Sequence, residues 1–309
     1  MRTIKWGAKW GAIALALVLL GIRLADDASV AAMVNQADAT PIMQWPDLLD
    51  QPRPAADRTL TYGEDPLQVV DLWLPEGKGP HPVVVMIHGG CWQTEIATLD
   101  IMNYIAADLR DEGIAVWNID YRGVDRGGGY PGTYQDVGAA ADMLAAQAKA
   151  LNLDLGTTIA MGHSAGGHLA LWLAARQALP ASEPLRGTTP LRIDAAISQA
   201  GIADLRAAMQ REGHACGTQA PKAMAGDAFA LTSPPEMPVS KALQIQFHTD
   251  KDRIAPPEYA HTYAADMKKR GVTVETHVHG PEGHVELIAP ASRSWAAQKA
   301  RIKQLLGAS

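Results

Sequence analysis

Short apolar runs alternate with stretches of helical periodicity along most of the chain. Apolar runs bounded by turn-forming residues predict strands, and apolar positions three and four residues apart predict helices. The predicted strands lie at residues 68–74, 82–87, 114–120, 157–161, 193–198, 243–248 and 272–278. The predicted helices lie at residues 99–111, 135–151, 167–176, 258–270 and 290–306. This alternation predicts an α/β fold, in which helices cover both faces of a mostly parallel central sheet.

The connection at about residues 204–232 is longer than the others. It mixes Ala-rich helical pieces with Gly and Pro. Long connections in compact domains are often lids or substrate loops. We therefore expect a small mobile cap that sets substrate size.

The first 59 residues differ from the rest. Residues 1–32 contain Arg2, Lys5 and Lys9, then an uncharged apolar run, then small residues. The run is short for a membrane span and is typical of a secretory signal. An uncleaved membrane anchor and a buried helix are the alternatives. The composition of residues 33–59 predicts a linker or loosely packed arm, which is followed by a catalytic domain at residues 60–309. We expect this domain to be exported or anchored at a membrane.

The composition is that of a globular protein. Hydrophobic residues make up 47% of the chain and charged residues 19%, which is enough apolar material for a substantial core. The net charge of −6 and the lack of Lys/Arg runs argue against nucleic-acid binding.

The chain contains two cysteines. Cys91 and Cys216 could pair in an oxidising compartment, and two buried free thiols are the alternative.

A serine flanked by glycines stands where a predicted strand gives way to a predicted helix. The sequence Gly162-His163-Ser164-Ala165-Gly166 fits the GxSxG nucleophile elbow, a turn so tight that its flanks need glycine. The pattern is common by chance, and an ordinary glycine-rich turn is the simpler alternative. The strand before it and the helix after it favour the elbow.

A nucleophilic serine needs a base and a carboxylate that orients the base. In this fold both follow the serine, at the ends of later strands. Asp250 and Asp252 follow the sixth predicted strand, and His284 follows the last one. His277 and His279 are alternative bases, although strand alternation points both to one face, which is typical of packing residues.

The third requirement is a pair of backbone N–H groups for the developing oxyanion. Ala165, after the nucleophile, supplies one, and the loop containing Gly89 and Gly90 is the predicted source of the other.

Asp204, after another predicted strand, is a further candidate acid. None of the ten histidines forms the i, i+4 pair of a zinc hydrolase, so we expect no metal or other cofactor.

Six motifs together resemble those of the α/β-hydrolases. They are HGGCWQ at 88–93, DYRG at 120–123, GHSAGGHLALW at 162–172, SPP at 233–235, DRIAP at 252–256 and GHVEL at 283–287. The chain is similar to the esterase branch that includes kynurenine formamidases, feruloyl and acetyl esterases and hormone-sensitive-lipase-like enzymes. The resemblance covers roughly residues 60–306, and it implies that Asp252, rather than Asp250, is the acid.

The sequence departs from the family pattern at three positions. Thr249 stands where the family usually has Gly, Cys91 replaces the usual Gly or aromatic residue after HGG, and Ala255 replaces the usual Val. None of these changes removes a catalytic group, although Cys91 is placed where it can reshape the acyl pocket.

The resemblance implies two-step acyl transfer through Ser164, His284 and Asp252. The expected substrate is a small-molecule carboxylic ester with a small to medium acyl group. An amidase or peptidase, including an arylformamidase, is the alternative on the same fold. A non-catalytic binding member is a further alternative, which the complete set of catalytic residues disfavours.

Overall fold

The computed structural model describes residues 41–211 and 213–308, and the chain from Ile42 onward forms one compact unit. The predicted signal peptide or anchor at residues 1–32 lies outside the described residues, as does the first part of the predicted linker. Within the described ranges, no helix combines the length and the hydrophobicity that crossing a bilayer requires.

An eight-stranded sheet forms the centre of this unit. Its strands are β1 Arg58–Thr61, β2 Val69–Trp73, β3 His81–Ile87, β4 Ala115–Ile119, β5 Leu153–His163, β6 Ala195–Gln199, β7 Leu243–Thr249 and β8 Val274–His279. Their order is β1-β2-β4-β3-β5-β6-β7-β8. The pairs β1/β2 and β2/β4 are antiparallel, and every other pair is parallel. The predicted α/β class with a mostly parallel sheet is confirmed.

Five of the helices correspond to the predicted ones. In the described part of the chain they are α1 Trp45–Leu49, α2 Asn103–Asp111, α3 Gly132–Gln147, α4 Ala165–Ala175, α5 Leu205–Gln210, α6 Gln219–Ala225, α7 Phe229–Thr232, α8 Glu258–Lys269 and α9 Arg293–Leu306. The five predicted helices correspond to α2, α3, α4, α8 and α9, with shifts of a few residues at their ends.

Alternation along strand β3 separates two hydrophobic cores. Val83 and Val85 pack on one face with residues of α3, α4 and α8. Val84 and Met86 pack on the other face with residues of α2 and α9. All four side chains are fully buried, because helices cover both faces of the sheet, as predicted. A strand buried on both faces forms a continuous apolar run, and that run made β3 recognisable in the sequence.

Two strands differ from the prediction. Strand β1 was not predicted, because it lies at the sheet edge, its residues are mostly exposed and no apolar run marks it. Strand β5 begins at Leu153 rather than at residue 157. Asp154, in its added part, is exposed, so this part lacks the apolar pattern of a buried strand.

The N-terminal arm, residues 42–57, packs against the domain. The sequence predicts a linker or loosely packed arm here, whereas Leu48 of α1 is fully buried in the second core. The Met43 N–H also donates a hydrogen bond of 2.6 Å to the Glu286 carboxylate. The signal missed in the sequence is the apolar spacing of Trp45, Leu48 and Leu49 within α1.

The predicted cap, residues 204–232, consists of the short helices α5, α6 and α7 and their connections. The Tyr134 hydroxyl donates to the Met224 carbonyl at 3.0 Å, and the Trp172 indole N–H donates to the Leu231 carbonyl at 2.8 Å. These bonds attach the second half of the insertion to α3 and α4.

Cys91 and Cys216 form a disulfide, with their Cα atoms 5.2 Å apart. The alternative of two buried free thiols is therefore wrong. The bond joins the loop after β3 to the insertion, which lies 125 residues further along the chain.

We expect the fold to lose stability as the pH falls from about 6.5 to about 4. Burial lowers the pKa of His168 and of His248 to about 4, whereas an unfolded histidine titrates near 6.5. In this window the unfolded chain therefore binds protons that the folded protein does not. Each histidine is expected to lower the free energy of unfolding by up to about 3 kcal/mol.

Urea unfolding at a series of pH values measures this effect. The variant His168→Gln should show a shallower loss of stability between pH 6.5 and 4 than the wild type. The control is His261→Gln, at an exposed histidine, which should leave the slope unchanged. Equal slopes in all three proteins would contradict the explanation.

Candidate active site

Ser164 lies at the tip of a sharp turn between β5 and α4. Its backbone has φ 54° and ψ −117°, which an L-residue rarely adopts. A Cβ atom on Gly162 would lie 2.2 Å from the Gly166 carbonyl oxygen, and a Cβ on Gly166 would lie 2.2 Å from the Ile87 oxygen. Only glycine fits at either position, so the predicted elbow geometry is present.

His284 and Asp252 form a close buried pair. The distance from His284 Nδ1 to Asp252 Oδ2 is 2.6 Å. The N–H groups of Ile254 and Ala255 donate to Asp252 Oδ1 at 2.7 and 2.9 Å. Burial by itself would raise the pKa of Asp252, but the bond from His284 and these two N–H groups lower it overall.

This pairing determines the tautomer of His284. An ionised carboxylate only accepts hydrogen bonds, so the imidazole proton lies on Nδ1. Nε2 then carries the lone pair that a general base needs.

His284 packs against His163, the residue before the serine. The ring centroids of His163 and His284 are 4.4 Å apart, and His163 Nε2 lies 3.1 Å from the His284 carbonyl oxygen. Within the described residues, no hydrogen bond joins Ser164 Oγ to His284 Nε2. Catalytic hydrogen bonds are often long without a ligand. Burial, followed by the charge of His284, lowers the pKa of His163 well below its ordinary value, so His163 stays neutral beside the base.

The other candidate acids point elsewhere. Asp250 accepts a bond from the Glu282 N–H at 3.3 Å and lies 3.3 Å from Lys251 Nζ. Asp204 caps α5 by accepting a bond from the Ala207 N–H at 3.0 Å. The structure therefore places Asp252, rather than Asp250 or Asp204, beside His284.

The other candidate bases lie along the sheet. His277 and His279 stack on the Phe247 ring, with centroids 4.6 and 5.9 Å away. Their position agrees with the packing interpretation.

Gly89 and Gly90 belong to the loop after β3, and Gly89 passes directly beside the nucleophile. A Cβ on Gly89 would lie 3.2 Å from Ser164 Cβ and 2.9 Å from the His163 oxygen. Gly90 has φ +99°, which favours glycine. Ala165, the third predicted donor, is fully buried at the first turn of α4. The structure thus brings the predicted oxyanion loop to Ser164.

The DYRG motif braces this loop. The His88 ring stacks on Tyr121 at 4.3 Å, and His88 Nε2 lies 3.0 Å from the Asp120 carboxylate. The Tyr121 hydroxyl donates to the His88 carbonyl at 3.1 Å. Arg122 makes two bonds of 2.7 and 2.8 Å to Asp136 of α3, which ties the motif to the domain.

The N-terminal arm contributes two contacts that the sequence did not predict. Glu286 accepts the Met43 N–H through one carboxylate oxygen and the Gly283 N–H, at 3.0 Å, through the other. The Trp45 ring lies edge-on to His284, with centroids 6.3 Å apart. The arm is therefore bound to the loop that carries the base.

A cavity of about 520 Å³ lies between the arm and the acid and base loops. Its walls include Trp45, Asp252 and His284, together with Gln44 and Arg253. Asp252 and His284 border this cavity, whereas Ser164 is not among its lining residues. Among the described residues, no group of three or more His, Cys, Asp or Glu side chains is arranged to hold a metal ion.

Comparisons with known proteins agree with this geometry. The BD-FAE family model matches residues 70–266. The chain is 28% identical over 130 residues to the probable isoprenylcysteine alpha-carbonyl methylesterase ICMEL1 of Arabidopsis thaliana. That match covers 42% of this chain and 27% of the relative, so the chain spans about a quarter of the relative it matches.

Solved structures with the same fold include two named hydrolases. Thermogutta terrifontis esterase 2, phosphonylated by sarin, has a TM-score of 0.68 at 20% identity. The match covers 85% of this chain and 97% of the esterase chain. The acetyl ester-xyloside bifunctional hydrolase from Caldicellulosiruptor lactoaceticus has a TM-score of 0.65 at 19% identity. This match covers 82% of the present chain and 97% of the hydrolase chain. These likenesses establish the fold.

The two neighbouring aspartates allow a matched test of which one orients His284. We expect Asp252→Asn to slow the reaction of Ser164 with a fluorophosphonate probe by about 10³- to 10⁴-fold, because an amide no longer enforces the Nδ1–H tautomer. Asp250→Asn should react at nearly the wild-type rate. Time-resolved labelling followed by intact-protein mass spectrometry measures both rates, and a larger effect of Asp250→Asn would reverse the assignment.

Proposed function

The chain belongs to the BD-FAE family, and from this premise we propose that it is a serine hydrolase of carboxylic esters with small to medium acyl groups. The observation that carries the proposal is the 2.6 Å contact between His284 and Asp252 beside the Ser164 elbow. The methylesterase and acetyl-ester names of its relatives support esters as the substrate class.

In the proposed first step, Ser164 Oγ attacks the ester carbonyl carbon while His284 Nε2 takes the hydroxyl proton. The N–H groups of Gly89, Gly90 and Ala165 donate to the resulting oxyanion. The tetrahedral intermediate then collapses, His284 returns its proton to the leaving alcohol, and the acyl group stays on Ser164. Asp252 stays ionised throughout and stabilises the imidazolium.

In the second step, water replaces the alcohol. His284 takes a proton from water as the water oxygen attacks the acyl carbon, and the same N–H groups hold the second oxyanion. Collapse returns the proton to Ser164 Oγ and releases the carboxylic acid. The neutral His163 beside His284 lets the imidazolium form without a second positive charge next to it.

Hydrolysis of amides, including formamides, is the second candidate, because the same residues serve an amine leaving group. The two candidates differ in how much activity an anilide substrate supports. We therefore compare p-nitrophenyl acetate with p-nitroacetanilide.

We expect the full chain to hydrolyse p-nitrophenyl acetate and Ser164→Ala to lose at least about 10³-fold in kcat/KM. Spectrophotometric release of p-nitrophenol measures both. The matched control is Ser240→Ala, in the loop before β7 and outside the described site, which should retain wild-type activity. Turnover that survives in Ser164→Ala would overturn the nucleophile, and preferential turnover of the anilide would favour the amidase.

We further propose that the enzyme is exported or held at a membrane by residues 1–32. The Cys91–Cys216 disulfide supports this location, because disulfides persist in oxidising compartments and are rare in the cytosol.

Expression of the full chain in a bacterium, followed by fractionation and N-terminal sequencing, tests the export. A signal peptide predicts an oxidised protein in the periplasm or medium that begins near residue 33. An uncleaved anchor predicts the intact N-terminus in the membrane fraction. A full-length cytosolic protein with two free thiols would contradict both forms of the proposal.

A further inference from the structure

A covalent bond joins the oxyanion loop to the insertion. Cys91 directly follows Gly90 in the HGG loop, and its disulfide partner Cys216 lies between α5 and α6. No element of the triad requires this bond, and its position beside a proposed oxyanion donor calls for a physical reason.

The loop adopts a costly backbone conformation where the bond is attached. Cys91 and Trp92 both have φ +55°, directly after Gly90 at φ +99°. Successive non-glycine residues in the left-handed region are unfavourable and persist only where surrounding contacts hold them. The segment therefore needs attachments on both residues.

Trp92 has its own attachments to the domain. Its side chain is fully buried, and its ring meets His168 edge-on, with centroids 5.5 Å apart. Its carbonyl accepts the Val124 N–H at 2.7 Å. Cys91 is only half-buried, so the disulfide is the strongest attachment of the residue next to Gly90.

The other end of the disulfide is fixed by α8. The Cys216 N–H donates to His214 Nδ1 at 3.0 Å, and the His214 ring stacks on Tyr259 with centroids 6.1 Å apart. The Arg211 guanidinium lies 4.8 Å from the centroid of the same Tyr259 ring. Because α8 packs on the sheet through the first core, these contacts attach the segment around Cys216 to the domain.

We propose that Cys216 is a positioning residue for the oxyanion hole: through its disulfide it holds Cys91, and so keeps the Gly89 and Gly90 N–H groups directed at the reacting carbonyl. The inference rests on the proposed function, because it assigns those N–H groups to a developing oxyanion. A donor displaced by a fraction of an ångström stabilises the transition state less, whereas ground-state binding changes little.

Hydrogen–deuterium exchange tests the positioning without any substrate. We expect peptides covering residues 88–97 to exchange at least about 10-fold faster in Cys216→Ala than in the wild type. The wild type treated with tris(2-carboxyethyl)phosphine should behave like the variant. Together with one water molecule, which supplies the oxygen and the two protons, this reagent reduces the disulfide to two thiols and becomes the phosphine oxide.

Steady-state kinetics then tests the catalytic consequence. Cys216→Ala should lose about 10- to 100-fold in kcat with less than about a 3-fold change in KM, since misplacing one donor costs less than the 10²–10³ of removing it. The double variant Cys91→Ala/Cys216→Ala should match it, which excludes an effect of the freed Cys91 thiol. The phosphine should change neither the exchange at residues 88–97 nor the kcat of either variant.

The control is Arg206→Ala, which breaks a different attachment of the insertion. Arg206 makes two bonds to Glu236, at 2.9 and 3.0 Å, away from the HGG loop. We expect its kcat and its exchange at residues 88–97 to equal those of the wild type. Far-UV circular dichroism checks that every variant is folded at the assay temperature.

The outcomes separate this inference from the proposed function. Unchanged exchange at residues 88–97 in folded Cys216→Ala would overturn the positioning role, whatever the activity. Equal loss of kcat in Arg206→Ala would also overturn it, because any loosening of the insertion would then suffice. If residues 88–97 exchange faster in Cys216→Ala than in the wild type, but the wild type shows no esterase activity, the positioning role is supported and the proposed function is contradicted instead.

Discussion

The close approach of two backbones at the nucleophile turn constrains the whole site. Gly166 leaves no room for a side chain against the Ile87 carbonyl, so α4 begins directly against the end of β3. The loop that follows β3 must then pass beside Ser164, and Gly89 is the residue that makes the contact. Backbone packing therefore brings the main chain of Ala165 and of the HGG loop together beside Ser164, before any side chain is considered. The strained φ of Ser164 follows from the same approach.

The parallel sheet supplies the rest of the machinery. β7 and β8 run parallel to β5, so the loops after them end at the edge that carries Ser164. The turn after β7 folds its own N–H groups onto Asp252, which keeps the carboxylate ionised and directs it at His284. The adjacent His163 is kept neutral by burial and by His284. His284 therefore acts beside a neutral neighbour.

The sequence predicted the parts of the fold that depend on local pattern. Buried parallel strands such as β3 form continuous apolar runs, and the elbow needs glycines at fixed spacing, so both were visible. Strand β1 was missed because an exposed edge strand needs no apolar run. The choice between Asp250 and Asp252 needed the family resemblance, because both follow the same strand and only the turn geometry distinguishes them. The contact of Met43 with Glu286 joins residues 243 positions apart, and no local pattern encodes such a contact.

The arm and the insertion hold opposite parts of the catalytic machinery. The arm binds the loop of His284 through Glu286, and the insertion binds the oxyanion loop through Cys216. Neither segment contains a residue of the triad, yet each touches a loop that must be held to within about half an ångström. The Ser, His and Asp motifs are shared by enzymes with many substrates, so they determine the chemistry rather than the substrate. The arm also lines the cavity beside His284, so the segment that holds the loop of the base also borders the open space next to it. Changes of specificity in this protein are therefore expected to arise outside the six motifs, in segments such as the arm that borders this cavity.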